Sequence, residues 1–339
     1  MRTPLCEKLG IDLPVIQAPI GRAAGPGLAA AVAAAGGLGT LTLTGWGAEG
    51  ARRRIHEVRA RTDRPFACNL LLHYDFEDEL DAALAERVAV VSLFWGDPAP
   101  LVPRIHDAGA LLMMTVGSVT EAVQAAEAGA DVIVAQGFDA GGHVRGTTGT
   151  LALVPAVVDA VAPVPVAAAG GIADGRGLAA VLALGAQAAF IGTLFVSATE
   201  AEAHPVYRAQ LLAAEGEDTV YSTLFDGGWP DAPGRVLRTP TVAAWEDAGR
   251  PAPGARPGEG DAVGEGHFGT IHRYHAVTAS ADVTGDIEAL PLWAGQGVGL
   301  VRREQPAAGI VAEIVAEARS ILAAAGRLSL PPDADARQA

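Results

Sequence analysis

The segment from Gln136 to His143 contains the residues of this chain whose types and spacing best suit chemistry. An apolar run from Asp131 ends in the amide of Gln136, and it is typical of a strand buried on both faces. A glycine-rich turn follows and presents His143, whose imidazole titrates near neutral pH. We therefore expect His143 to be a base beside a bound ligand, with a hydrogen-bonded structural histidine as the alternative.

Two later apolar runs end in glycines that suit a phosphate group. Gly170-Gly171 and Gly192-Thr193 each follow a β-rich run. Glycine lets backbone N–H groups approach closely, and a following helix N-terminus favours an oxygen dianion. Glycines that only ease the packing of helices on a sheet are the alternative. Together with His143, the two pairs predict a phosphorylated cofactor with a base beside it.

The elements that position these residues alternate regularly over the first two hundred residues. Helical patterns separate eight strand-like runs, at residues 15–20, 38–43, 66–72, 88–95, 110–116, 131–137, 164–170 and 188–195. Ser118 and Asp174 occupy helix N-cap positions, and Gly129 occupies a C-cap position. The alternation predicts an α/β protein with a TIM (β/α)8 barrel, whose functional residues lie at the strand C-termini. A doubly wound open sheet is the alternative.

The pattern changes after residue 215, which suggests three parts. We expect the barrel in residues 1–215, an inserted small cap near the C-terminus in residues 216–290, and a C-terminal segment in residues 291–339. Residues 247–269 are rich in Gly and Pro and are predicted to form a long loop, a lid or a binding loop. Ile310, Ile314, Ala318 and Ile321 form one stripe of a helix that packs back on the barrel.

Composition excludes several classes of function. A net charge of −15 argues against nucleic-acid binding. Cys6 and Cys68 have no spacing that suits a disulfide framework or a zinc site, which favours a cytoplasmic protein. His267, His272 and His275 lack ligands that would complete a metal site, so no metal is predicted. The long uncharged stretches 23–48 and 178–197 are interrupted by glycines and are interpreted as helix–strand units rather than membrane spans.

If the barrel forms, its strand ends bring polar residues to one mouth. Asn69 and Gln136 can each donate and accept hydrogen bonds, as the edge of a flavin ring requires. Thr115, Trp95 and residues 18–21 and 42–46 are predicted at the same mouth.

Several motifs taken together resemble the nitronate monooxygenase family, formerly called 2-nitropropane dioxygenase. They cover nearly the full chain and lie at residues 15–20 (Val-Ile-Gln-Ala-Pro-Ile), 28–39, 135–143 (Ala-Gln-Gly-Phe-Asp-Ala-Gly-Gly-His), 168–174 (Ala-Ala-Gly-Gly-Ile-Ala-Asp), 192–193, 232–238 and 294–296. Each motif alone is weak, whereas the set is specific.

This resemblance implies a TIM barrel that holds non-covalent FMN, with His143 as the catalytic histidine. The implied cofactor contacts are Ala18, Pro19, Ile20, Asn69, Thr115, Gln136, Gly141, Gly170, Gly171, Gly192, Thr193 and Gln296. Two of them depart from the family pattern. Ile20 stands where many members have Met, and Thr115 stands where some have Lys, which leaves the charge partner of the flavin open.

The implied activity is FMN-dependent oxidation of alkyl nitronates, or of nitroalkanes, with O2 to a carbonyl compound and nitrite. The partners would then be a small-molecule substrate and O2, with the oligomeric state open. An FMN- and NAD(P)H-dependent enoyl thioester reductase is the main alternative. A phosphate-binding isomerase or dehydrogenase would need a loop cysteine or a catalytic lysine and glutamate at strand ends. A flavin-binding protein without catalysis is the fourth hypothesis.

Overall fold

The structure of the protein, a computed structural model, describes residues 1–327. The strands of this part are β1 (Val15–Gln17), β2 (Gly39–Thr42), β3 (Phe66–Leu71), β4 (Val90–Phe94), β5 (Leu111–Val116), β6 (Val132–Gln136), β7 (Gly142–His143), β8 (Val166–Ala169), β9 (Ala188–Ile191), β10 (Thr219–Ser222), β11 (Gly234–Leu237), β12 (Ala262–Gly266), β13 (Gly269–His272) and β14 (Thr284–Gly285). Its α-helices are α1 (Pro4–Leu9), α2 (Pro26–Ala34), α3 (Gly47–Arg59), α4 (Glu77–Ala85), α5 (Val102–Asp107), α6 (Val119–Ala128), α7 (Thr150–Val161), α8 (Gly175–Ala183), α9 (Thr193–Val196), α10 (Pro205–Ala213), α11 (Pro240–Asp247) and α12 (Ala307–Ala325).

A parallel sheet closes on itself and confirms the predicted TIM barrel. Within residues 1–327, eight strands follow the order β1-β9-β8-β6-β5-β4-β3-β2. A parallel bridge between Ile16 and Leu38 joins β1 to the start of β2 and closes the ring. The Gln17 N–H donates to the Leu38 carbonyl, and the Leu38 N–H donates to the Val15 carbonyl, each at 2.9 Å. All eight predicted strands are present, and closure excludes the open-sheet alternative.

Several strands end earlier than predicted, for local reasons. β1 ends at Gln17, two residues before Pro19, which has no N–H to donate to a neighbouring strand. The run predicted as a strand to residue 195 ends at Ile191, because Thr193–Val196 turns into a helix. β4 ends at Phe94, and Trp95 adopts a φ of 67° that no regular strand allows.

Helix α1 covers the amino-terminal end of the barrel. Its buried Leu5, Cys6 and Leu9 belong to one apolar cluster with inward-facing strand residues that include Ala67, Val90, Met113 and Val132. Thr3 caps the helix by accepting a hydrogen bond from the Cys6 N–H. Because this end is filled, a ligand reaches the barrel interior from the carboxyl end, where the predicted site residues lie.

Helix caps occur where the sequence predicts them. Ser118 accepts from the Glu121 N–H at the start of α6, and Gly129 ends that helix with a φ of 106°. Asp174 caps α8. The C-terminal helix α12 buries Ile310, Ile314 and Ala318 of its predicted stripe, leaves Ile321 partly buried, and packs against α8 and α2.

The chain after residue 215 forms two small sheets above the barrel mouth. β11 pairs with β10 and also with β7, which belongs to the loop after β6. β12 pairs with β13 and β14. The prediction of one long loop at 247–269 is therefore wrong in its second half, where a glycine-rich strand with little apolar signal forms. The division into barrel, cap and C-terminal segment stays a prediction, and residues 328–339 of the last part lie outside the described residues.

None of the helices described in residues 1–327 combines the length and the apolarity that crossing a membrane requires.

Candidate active site

A cavity of about 590 Å³ lies at the carboxyl ends of the barrel strands. This volume is within the range of small-molecule and cofactor sites. It brings together nearly all the predicted site residues, which are Ala18, Pro19, Ile20, Asn69, Thr115, Gln136, Gly141, His143, Gly170, Gly171, Gly192 and Thr193. These residues come from the carboxyl ends of six barrel strands, or the loops that follow them, and are distant in sequence.

Gln296 is the predicted contact that the cavity does not include. Its side chain is exposed, and its backbone N–H donates to the Asp139 carbonyl at 2.9 Å. The neighbouring Gly295 and Gly297 line the cavity instead. The motif at 294–296 therefore indicates a loop whose backbone closes the site. Its glycines, which have no side chain, allow that backbone to lie close to the cavity.

This loop, residues 294–297, packs tightly on the glycines of the barrel mouth. A Cβ atom on Gly141 would lie 2.5 Å from the Ala294 carbonyl carbon, and one on Gly297 would lie 2.9 Å from the Gly171 carbonyl oxygen. The Gly295 N–H donates to the Thr193 hydroxyl at 3.0 Å. The glycines of three separate motifs thus form one close-packed wall of the cavity.

Two buried oxygens in the cavity wall have no hydrogen-bond partner within residues 1–327. They are Gln136 Oε1 and Thr42 Oγ1. The Gln136 amide nitrogen is already used, since it donates to the His143 carbonyl at 3.0 Å. Buried polar atoms are nearly always paired in native proteins, so Oε1 calls for a donor from a bound group. An acceptor here, with Asn69 nearby in the wall, fits the polar edge of a flavin ring.

The amino-terminal end of α8 is not free to bind a phosphate. The Asp174 carboxylate accepts from the Arg176 and Gly177 N–H groups, and the Glu317 carboxylate accepts from the Gly175 N–H at 2.7 Å. These carboxylates already occupy the amino-terminal end of α8. A phosphate in the cavity would therefore depend on the backbone at Gly170-Gly171 and Gly192-Thr193.

His143 lies on the two-residue strand β7, not on the open turn that the sequence predicts. It is paired with Gly234 of β11, and the Val144 N–H donates to the Pro233 carbonyl at 2.9 Å. The ring atom Nδ1 lies 3.2 Å from the Ala232 carbonyl oxygen. Since a carbonyl only accepts, Nδ1 carries the proton and donates, and Nε2 keeps its lone pair.

Three tryptophans surround this imidazole. The ring centroids of Trp229, Trp293 and Trp95 lie 4.1, 4.9 and 5.9 Å from that of His143. Burial among them lowers the pKa of His143 from its ordinary 6.5 to about 4, opposed in part by the hydrogen bond to Ala232. His143 is thus a neutral base at physiological pH.

Sequence reasoning missed part of this environment. Trp229 and Trp293 line the cavity but belong to segments with no strand or helix pattern that would place them at the barrel mouth. His275 also lines it, and His73 stacks on Trp229 with 4.9 Å between ring centroids, so both lie nearer the site than expected. Arg22, one residue beyond the predicted mouth segment 18–21, is another lining residue.

The low pKa of His143 predicts an acid-sensitive fold. The unfolded imidazole has a pKa near 6.5 and the folded one about 4, so protons bind preferentially to the unfolded chain. The stabilisation from the neutral ring is complete above pH 6.5 and is lost as the pH falls towards 4, with an upper limit of about 3 kcal/mol. The melting temperature should therefore fall over this range, and less steeply in His143→Asn. Equal slopes for both proteins would contradict the assignment.

Comparison with known proteins identifies the family of this chain. The family model for nitronate monooxygenase matches residues 2–82 and 73–317. A nitronate monooxygenase from Paraburkholderia phytofirmans is 35% identical, with 92% of this chain and 94% of that protein covered.

Two solved structures share the architecture over nearly the whole chain. FabK from Thermotoga maritima is 32% identical with a TM-score of 0.83, and the match covers 97% of this chain and 100% of that one. Nitroalkane oxidase from Streptomyces ansochromogenes is 31% identical with a TM-score of 0.79, and the match covers 95% and 99%. With a barrel whose mouth contains the predicted glycines and a neutral histidine, the chain belongs to the nitronate monooxygenase family of flavin-dependent oxidoreductases.

Proposed function

We propose that the protein is an FMN-dependent enzyme that oxidises alkyl nitronates with O2 to a carbonyl compound and nitrite, and that it also accepts nitroalkanes. The observation that carries this proposal is the neutral imidazole of His143 in the cavity that the glycine pairs line. A base is needed to convert a neutral nitroalkane into its nitronate, and His143 has the protonation state for that task.

The cavity residues fit FMN. Gly170-Gly171 and Gly192-Thr193 would hold the phosphate through their backbone, and Gln136 Oε1 would accept from the polar edge of the ring. Bound FMN supplies the electron transfer and the reaction with O2, which no side chain can provide. Thr115 lines the cavity and adds no charge, so a cation near the flavin would have to come from elsewhere in the chain.

The residues of the chain itself orient the reacting groups, exclude water from the site and transfer a proton. His143 Nε2 accepts the α-proton of a nitroalkane, while the Nδ1 hydrogen bond to Ala232 fixes the tautomer and the ring orientation. Trp229 and Trp293 form apolar walls that exclude water from the reacting carbon. The pKa of about 4 favours this role as a base over a protonated imidazole that stabilises the nitronate by charge.

The structural likeness to FabK supports the alternative, an NAD(P)H-dependent enoyl thioester reductase. Such a reductase would use the same cavity and FMN, with NAD(P)H as the electron donor. The isomerase and dehydrogenase hypothesis has less support, because Cys68 is fully buried in β3 and burial raises the pKa of its thiol well above the ordinary value.

Two measurements test the proposal. The absorption spectrum of the purified protein should show bound flavin, and released cofactor should be FMN. Addition of propyl-1-nitronate should consume O2 and release nitrite. Rapid NADH or NADPH oxidation with an enoyl thioester, and no O2 uptake with the nitronate, would favour the reductase. A colourless protein that takes up no FMN would contradict both.

A further inference from the structure

Arg22 is the one arginine or lysine that lines the cavity in the part of the chain that the structure describes. It follows β1 in a helical turn and its side chain is only 14% exposed. Its guanidinium carbon lies 4.2 Å from the ring centroid of Trp46, and its Nη2 donates to the Asp282 carboxylate at 3.0 Å. Stacking and the ion pair thus hold the charge at a defined place in the wall.

Four N–H donor groups of this cluster have no acceptor within residues 1–327. Nε and Nη1 of Arg22, Nε1 of Trp46 and Nε of Arg54 are all buried and unpaired. Arg54 is nine-tenths buried, with its guanidinium carbon 4.0 Å from the same indole ring. Buried donors of native proteins are nearly always paired, and the two of Arg22, which lines the cavity, point to an absent group with several lone pairs.

Each arginine of the cluster has a carboxylate partner. Asp282 pairs with Arg22, and Glu202 pairs with Arg54 at the longer distance of 3.5 Å. His267 lies against Trp46, with 4.5 Å between ring centroids. Burial lowers the pKa of His267, and the nearby positive charge of Arg22 lowers it further. Each arginine keeps at least one unpaired N–H group beside its ion pair, so the cluster still offers charged donors to an anion.

We propose that Arg22, supported by Trp46 and Arg54, binds an oxyanion that the substrate carries away from its reacting carbon. This inference rests on the proposed function for the identity of the reacting group. The oxygens of an oxyanion accept charge-assisted hydrogen bonds from the free N–H groups of Arg22. The oxyanion has two sources, the carboxylate of a small nitro acid or the phosphates of a thioester carrier.

Specificity between two matched substrates tests this role. If the oxyanion is the carboxylate of a small nitro acid, we expect the wild-type enzyme to prefer the nitronate of 3-nitropropionate over propyl-1-nitronate. Arg22→Gln should reduce the ratio of their kcat/KM values by about 10- to 100-fold, through the KM of the carboxylate substrate. Arg22→Lys should restore part of this ratio. Arg303→Gln, at an exposed arginine paired with Glu313, is the matched control and should leave the ratio unchanged.

A binding experiment separates this inference from the proposed function and shows whether a carboxylate or a phosphate supplies the oxyanion. The flavin-loaded wild type and Arg22→Gln are each titrated with succinate and with coenzyme A. One of these two probes should bind the wild type at least about tenfold tighter than it binds Arg22→Gln. If the enzyme oxidises neither nitronate, the proposed function is wrong, and the binding experiment alone decides the role of Arg22.

Three results would overturn the role of Arg22. The first is equal losses with both nitronates in Arg22→Gln. The second is equal binding of both probes by the two proteins. The third is loss of FMN from Arg22→Gln, which would assign the arginine to the cofactor.

Discussion

His143→Asn should lower kcat/KM for a neutral nitroalkane by about 10²–10⁴-fold, the usual contribution of a general base. The same change should lower the value for the preformed nitronate much less, because that substrate has already lost its α-proton. Asparagine can keep the hydrogen bond to the Ala232 carbonyl through its amide N–H, but it has no basic nitrogen in place of Nε2. Steady-state O2 uptake with both forms of one nitroalkane measures the difference.

The flavin spectrum of this variant shows whether the site is intact. We expect it to keep FMN, because the predicted phosphate contacts follow β8 and β9, and Gln136 bonds the backbone carbonyl of residue 143, which the substitution leaves in place. His56→Asn is the matched control, since His56 is 61% exposed and pairs with Glu86 on the outer face of the barrel. Undiminished nitroalkane turnover in His143→Asn would refute the role of His143 as the base.

Gly141→Ala should remove FMN from the purified protein and with it most of the activity. The new Cβ would lie 2.5 Å from the Ala294 carbonyl carbon, where the neighbours are backbone atoms that cannot rotate away. Overpacking of this kind costs about 1–3 kcal/mol and here displaces the loop 294–297 from Gly171 and Thr193. Flavin content per protein and the melting temperature measure both effects.

Gly309→Ala is the matched control for this substitution. Gly309 lies in α12, and the nearest atom to a new Cβ is a side-chain oxygen of Gln305 at an ordinary 3.6 Å. Alanine in a helix should leave flavin content unchanged and raise stability slightly. If Gly141→Ala retains full flavin and an unchanged melting temperature, the loop 294–297 does not need glycine at this contact.

The barrel and most of its mouth could be predicted because their signals are local. Runs such as residues 131–136 alternate with helices whose caps, such as Ser118 and Asp174, are short-range hydrogen bonds. Parallel strands then place their carboxyl ends at one mouth, whatever the intervening helices. The family resemblance added the identity of the cofactor contacts, which remains a prediction for each residue.

The environment of His143 could not be predicted, because it comes from pairing between distant segments. β7 has two residues and forms only through β11, some ninety positions later in the chain, which also brings Ala232 and Trp229 to the imidazole. The strand β12 was not predicted for a related reason. Its glycines give no apolar pattern, and it forms by pairing with β13 and β14.

By itself, the sequence determined the closed barrel, the strand-end glycines and the position of the histidine, since apolar periodicity and backbone freedom are properties of neighbouring residues. Only the tertiary structure decided the protonation state of that histidine, the closure of the mouth by residues 294–297 and the cluster of unpaired donors around Arg22. Desolvation and hydrogen-bond pairing depend on which distant atoms come together, and that information appears only when the chain is folded.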